Sequence, residues 1–181
     1  MDDMTWPYKW KELTGTKVKL RGYSTSDIED MLVTGNDPDT QRFTTVPHPY
    51  GRQQAESFVD MTQHDDSGMY WVITDAGDTT ARYMGQIDLR NVEQGLYLSF
   101  GYLTAPWARG KGLMTDAVRT VSQFAFDHGA LRLEIRAIAD NGASRRVAEK
   151  TGFTFEGVLR RALFDRDRFR DCAVYSLLAG E

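Results

Sequence analysis

Apolar residues in this chain recur with two different periods, and the switches between them outline an α/β protein. Val18-Lys19-Leu20-Arg21 alternates apolar and polar positions, the period of a half-buried strand. Asp27 to Val33 follows, with Ile28, Met31 and Leu32 on one side. Ser24, Thr25 and Ser26 are candidate N-caps, so a short helix is predicted. Asn36-Asp37-Pro38-Asp39 reads as a turn, and Phe43 to Tyr50, with Pro47 and Pro49, as a loop. A second helix is expected within Gly51 to His64, its inward face carrying Ala55, Phe58 and Val59. Strands are expected at Met69 to Thr74, Tyr83 to Leu89 and Leu96 to Leu103, separated by turns at Gly77-Asp78 and Gly95. Leu113, Ala117, Val118, Val121, Phe124 and Ala125 then recur at spacings of three and four. That predicts a helix of about four turns, closed by His128-Gly129. Leu131 to Ala139 alternates again. Asn141 to Lys150 reads as a short helix stopped by Gly152. A strand region from Phe153 to about Phe164, a charged turn at Asp165 to Arg168 and a final strand from Phe169 to Leu178 complete the chain.

The predicted order is strand, two helices, three strands, helix, strand, helix, two strands. Short connections favour antiparallel pairing early in the chain, and the two strand–helix–strand crossovers favour parallel pairing later. One mixed sheet covered by helices is expected. Met1 to Thr14 is polar, punctuated by Trp6, Tyr8 and Trp10, and reads as an arm packed over the domain.

The bulk numbers narrow the class only modestly. A chain of 181 residues suits one substantial core, and 41% hydrophobic with 27% charged residues is an ordinary globular balance. No basic face is evident at a net charge of −4, so nucleic-acid binding is not expected, and the acidic balance leans toward amine-bearing substrates. The single cysteine, Cys172, excludes an intrachain disulfide and sits where a small core residue belongs. With no long apolar stretch and no leader-like start, the expectation is a cytoplasmic protein without membrane contact. His48, His64 and His128 lack metal-ligand spacing, and no metal is expected.

The chemistry-bearing segment is Arg109-Gly110-Lys111-Gly112-Leu113-Met114, between a strand and a long helix. Glycines allow close backbone approach to a ligand, and a helix start offers unpaired amides at the positive dipole end. The turn therefore suits a phosphate. It lacks the Gly-x-x-x-x-Gly-Lys-Ser/Thr order of a P-loop. Thr115 stands where a dinucleotide fingerprint needs its third glycine.

Gly101 to Gly112, with Arg109, Gly112 and Met114 on an Arg/Gln-x-x-Gly-x-Gly/Ala pattern, resembles the GCN5-related N-acetyltransferase (GNAT) superfamily. Asn141 to Phe153 supports the resemblance independently, and Phe155-Glu156-Gly157 resembles the RimJ/RimL branch, whose members acetylate N-termini of ribosomal proteins. The resemblance implies a single N-acetyltransferase domain over residues 1–181, with 1–14 as its arm. It further implies a mixed, mostly antiparallel sheet of about six to seven strands, a splayed central parallel pair and about four flanking helices. It also implies acetyl-coenzyme A as acetyl donor, with no metal.

The donor site implied by the resemblance comprises Tyr102, Leu103, Arg109, Gly110, Lys111, Gly112, Leu113, Met114, Asn141 and Ser144. Backbone amides from Arg109 to Met114 would grip the pyrophosphate, and the strand ending near Leu103 would hold the pantetheine arm. Asn141 either caps the next helix or meets that arm, and Ser144 would lie near the thioester, helping the leaving thiolate. Met114 replaces the usual small residue. Ala148 stands where many relatives carry a tyrosine acid, which leaves Ser144 as the substitute. Glu134 is the leading carboxylate for the base, with Glu93, Glu156 and Asp88 behind it.

The acceptor is expected to be a protein or peptide α-amine, whose reference pKa near 7.7–8.0 eases deprotonation. A small-molecule amine such as an amino acid, polyamine or antibiotic is the alternative, and a non-catalytic acyl-coenzyme A sensor a third reading. The Phe43–Tyr50 loop with the helix after it, and Trp71, Tyr83 and Phe164, are the expected acceptor walls. A monomer or homodimer is expected.

Overall fold

The strand-period segments become eight strands of one sheet in a computed structural model that describes residues 6–92 and 97–181. The strands are β1 (Leu13–Thr14), β2 (Val18–Arg21), β3 (Gly68–Asp75), β4 (Gly85–Val92), β5 (Tyr97–Thr104), β6 (Arg132–Ile138), β7 (Thr154–Asp165) and β8 (Arg168–Leu178). Five α-helices join them: α1 (Ile28–Gly35), α2 (Pro38–Phe43), α3 (Arg52–Met61), α4 (Leu113–Asp127) and α5 (Gly142–Lys150). Residues 1–5 of the expected arm, and the expected roles of Glu93 and Gly95, lie outside the described residues.

Burial explains why the sequence periods resolve as they do. In β2, Val18 and Leu20 are buried while Lys19 is exposed, as alternation requires. β3 is buried from Gly68 to Thr74 because helices cover both sides of the sheet there, and its run of β-formers is accordingly unbroken. On α4, Leu113, Ala117, Val118, Val121, Phe124 and Ala125 are all buried; this stripe packs over β1 to β4, while α5 packs on α4, β6 and β7. Trp71, Leu89, Leu98 and Leu133 have no accessible surface, each worth about 1.5–3 kcal/mol relative to exposure.

The strand order is β1-β2-β3-β4-β5-β6-β8-β7, antiparallel except for β5 and β6. That parallel pair is joined through α4. The second crossover, β6 through α5 to β7, does not end in a direct pairing: β8 inserts between β6 and β7 and runs antiparallel to both. A tight charged turn lets the last two strands form a hairpin, and β8 takes the free edge of β6.

Two elements differ from the sequence reading. β1 is a two-residue strand opposite Leu20 and Lys19, too short to show a period. The expected turn at Asn36 to Asp39 is confined to Asn36 and Asp37, and its second half is the start of α2. Pro38 occupies its first turn, and Asp37 accepts hydrogen bonds from the Asp39 and Thr40 amides at 3.1 Å. Asp-Pro serves a turn and a capped helix start equally well, so composition alone does not separate them. Within residues 6–14, Tyr8 is buried edge-on to Phe124, and Trp10 donates to the Tyr70 carbonyl.

Candidate functional site

The β5–β6 ladder consists of Leu98 with Leu133, Ser99 with Glu134 and Phe100 with Ile135. β5 then continues to Thr104 along β4 alone. From Gly101 onward its other edge faces no strand, the splay that the family resemblance implies. Backbone groups freed from a ladder need partners, so this edge is ready to hydrogen-bond an extended ligand.

The glycine turn lies just beyond. Gly110 and Gly112 adopt φ of 76° and 78°, the left-handed region that glycine enters without strain. A Cβ on Gly110 would meet nothing within 4 Å, so conformation and not packing demands glycine there. Gly112 is the N-cap of α4 with no side chain over the helix start, which leaves the first amides open. Leu113 and Met114, the latter in the usual small position, are buried in the core and also line the cavity described below. Lys111 is exposed. Lys17, missed in the sequence, also comes close: a Cβ at Gly112 would lie 3.5 Å from its Nζ. Asp116 in the first turn of α4 brings it there by accepting from the Lys17 and Val18 amides at 2.6 and 3.1 Å.

Arg109 faces α2. It pairs with Asp37, the α2 N-cap, and lies 3.3 Å from Asp39. Burial opposes ionisation of Asp37, but Arg109 and the α2 amides outweigh it and hold the carboxyl below its usual range. α2 is thereby tied across the turn.

A cavity of about 540 Å³ runs along this surface, lined by Arg109, Gly110, Gly112, Thr40 and Phe43 of α2, and the start of α5. A second cavity of about 400 Å³ lies between α1, the loop after α2, β4 and the β7–β8 hairpin. Phe43, Thr44, Tyr102, Leu103, Asn141 and Ser144 line both. Asn141 caps α5, its Oδ1 accepting from the Ser144 amide at 3.1 Å. Ser144 Oγ lies 2.8 Å from the Tyr102 hydroxyl. Burial pushes the Tyr102 phenol up to about 12, with the Ser144 hydrogen bond acting in the opposite direction. Ala148, where the tyrosine acid of many relatives would stand, has no accessible surface.

The second cavity contains a carboxylate that the sequence ranked low. Asp88 on β4 is 5% exposed, and burial raises its pKa although Arg90 and the Gly101 amide pull the other way. Arg90 Nε approaches Asp88 Oδ2 at 2.7 Å, but no aligned hydrogen bond satisfies that oxygen. Tyr83 and Phe164 line the same cavity. The β7–β8 hairpin is tied to α2 and the loop after it: Arg166 donates to the Gln41 and Val46 carbonyls, and Arg170 to the Arg42 carbonyl and Asp140.

Other candidates lie elsewhere. Glu134 borders neither cavity; it sits in the closed part of the β5–β6 ladder, buried between Arg132 at 2.8 Å and Arg136 at 3.0 Å. Both its oxygens are engaged by guanidinium groups, which suits an ion-pair strut and not a base. Glu156 binds Ser176 and Arg132. Trp71 is wholly buried with its indole N–H on the Lys11 carbonyl, and so belongs to the core and not to an acceptor wall. Cys172 is buried, as expected. Among the described residues there is no cluster of three or more metal-ligating side chains, and no helix is long and apolar enough to cross a membrane.

Residues 17–154 match the family model described as "Acetyltransferase (GNAT) domain". "Probable N-acetyltransferase YjcK" of Bacillus subtilis (strain 168) is 31% identical over 130 residues, 70% of each chain. "Putative ribosomal N-acetyltransferase YdaF" of the same organism is 37% identical over 99 residues, 54% of each chain, so the match spans about half the length of that relative. The crystal structure of a GNAT-family acetyltransferase from Bacillus anthracis superposes with a TM-score of 0.84 at 17% identity, covering 94% of this chain and all of that one, a likeness of fold.

Proposed function

This chain belongs to the family of acetyltransferase (GNAT) domains, and from that premise we propose that it moves an acetyl group from acetyl-coenzyme A to a primary amine by direct attack in a ternary complex. The observation that carries this reading is the meeting of the two cavities at Tyr102, Leu103, Asn141 and Ser144. A donor in one cavity and an acceptor in the other would share those four residues at the point of transfer.

The residues present fit the donor. The open amides of the 109–114 turn and the α4 dipole suit its pyrophosphate, with Lys17 and Lys111 as nearby cations. The unpaired edge of Gly101 to Thr104 suits the amides of the pantetheine arm. Ser144 Oγ supplies a hydrogen bond to the leaving sulfur, and a thiolate is a stable enough leaving group that one such bond is useful help.

Asp88 replaces Glu134 as the base. It lines the acceptor cavity, and its raised pKa moves it closer to that of an amine. Proton transfer to a carboxylate is easier from an α-ammonium near 8 than from a lysine near 10.4. This gap, and the likeness to a relative named as a ribosomal N-acetyltransferase, support a protein or peptide N-terminus as acceptor. The modest volume of the second cavity favours a small-molecule amine as the second reading.

An acetyl-transfer screen of N-terminal peptides and small amines, read by release of free thiol, tests the proposal. Turnover with peptides and not with small amines supports the first reading, and the reverse supports the second. Binding of acetyl-coenzyme A without turnover on any amine would leave a non-catalytic sensor.

A further inference from the structure

Tyr102 and Ser144 come from different elements, β5 and α5, and their hydroxyls meet across the splayed gap at 2.8 Å. Either oxygen has the geometry to donate, and the surroundings decide between them. The phenol is the more acidic hydroxyl even when burial lifts it to about 12. If serine donated to tyrosine, the phenolic proton would be left with the Ser144 carbonyl, 3.4 Å away, a far weaker contact. If tyrosine donates, the short contact carries the stronger acid. The serine proton then has no protein acceptor among the hydrogen bonds of the described residues. Ser144 borders both cavities, so that proton is directed into their junction.

We infer that Tyr102 is a positioning residue that fixes the polarity of the Ser144 hydroxyl, holding its proton toward the sulfur of a bound coenzyme A. The inference rests on the acetyltransferase reading and deepens it. No proton need pass from Tyr102: it occupies a serine lone pair, and the serine hydroxyl donates a hydrogen bond to the thiolate as the carbon–sulfur bond breaks. A hydroxyl free to rotate would spend part of its time donating elsewhere. A donor fixed before reaction avoids that reorganisation.

The test uses reduced coenzyme A and needs no acceptor. The thiol of the bound molecule is titrated by thiolate ultraviolet absorbance, with desulfo-coenzyme A as the blank. In wild type its pKa is expected below that of free coenzyme A titrated in the same way. Ser144→Ala should raise it by on the order of one unit, the scale of one hydrogen bond to a charged group. Tyr102→Phe, which keeps the ring and its packing, should raise it by a similar amount, and the double variant should shift no further than Ser144→Ala alone. Two results would overturn the inference: an unmoved thiol pKa in Tyr102→Phe, or a second full shift from that substitution in the Ser144→Ala background. Failure of wild type to bind coenzyme A would instead overturn the underlying acetyltransferase reading.

Discussion

Gly101 lies directly across the β4–β5 ladder from Asp88, and the missing side chain at 101 is what makes room for that carboxyl group. A Cβ on Gly101 would stand 2.6 Å from Asp88 Oδ1. The same glycine begins the stretch where β5 leaves β6. Gly101→Ala should therefore push the carboxylate aside and cost about 1–3 kcal/mol, the usual range for overpacking. Denaturant unfolding measures the stability loss. Acetyl transfer should fall with it at temperatures where the variant remains folded.

Asp88→Asn separates activity from stability. As a base, Asp88 works ionised, so the rate falls as pH drops through its raised pKa, and that acid limb should disappear in the variant. Turnover should fall by about 10²–10⁴, with donor affinity retained. The stability effect has the opposite sign. A carboxyl whose pKa is raised by folding contributes stability that is fully present below its ordinary pKa and lost as pH rises through the raised value. At neutral pH the charged group is a net cost, so Asp88→Asn should melt higher than wild type there. Its advantage should vanish in acid, and melting curves across pH decide the point.

The glycine turn makes a conformational prediction. Gly110 and Gly112 are both left-handed, and a Cβ at either position meets open space or the end of a flexible lysine. Alanine at each should cost about 1–2 kcal/mol of backbone strain without a clash. Both variants should bind acetyl-coenzyme A more weakly as the turn relaxes, and Gly112→Trp should block binding. Calorimetry giving wild-type affinity for Gly112→Trp would remove the turn from the donor site.

Arg109 is held by Asp37 and Asp39, so a phosphate must compete with carboxylates for it. Asp37→Ser keeps an oxygen to cap α2 and removes the charge. Donor affinity should rise, and its fall with added salt should steepen, because Arg109 then keeps only its longer contact with the exposed Asp39. The carboxyl of Asp37 is held low, so its contribution to stability is present above the ordinary carboxylate range and lost as pH falls through the lowered value. Asp37→Ser should accordingly lose less stability in acid than wild type. Titration calorimetry at two salt concentrations and acid unfolding curves test the two halves.

The elements legible in the chain are those whose causes are local. Gly110 and Gly112 announce a left-handed turn because few other residues tolerate one, and the apolar stripe from Leu113 to Ala125 announces α4 because burial on one face has a period. Asn141 and Ser144, three positions apart, are brought together by the first turn of α5 itself. The choice between Glu134 and Asp88 has no such local cause. Each alternates with apolar neighbours in a strand, and what separates them is the company that strand order assigns. Glu134 meets the guanidinium groups of Arg132 and Arg136 in the closed part of the ladder, and Asp88 meets a glycine at its opening. Tyr102 reaches Ser144 across 42 residues of chain for the same reason. The glycine turn, α1, α3, α4 and α5 can be read from the chain alone, because backbone conformation and amphipathic period are properties of neighbouring residues. That Asp88 and not Glu134 lines a cavity, and that the Tyr102 hydroxyl meets Ser144, follow only from the assembled fold, because burial and hydrogen-bond partners are set by residues far away along the chain.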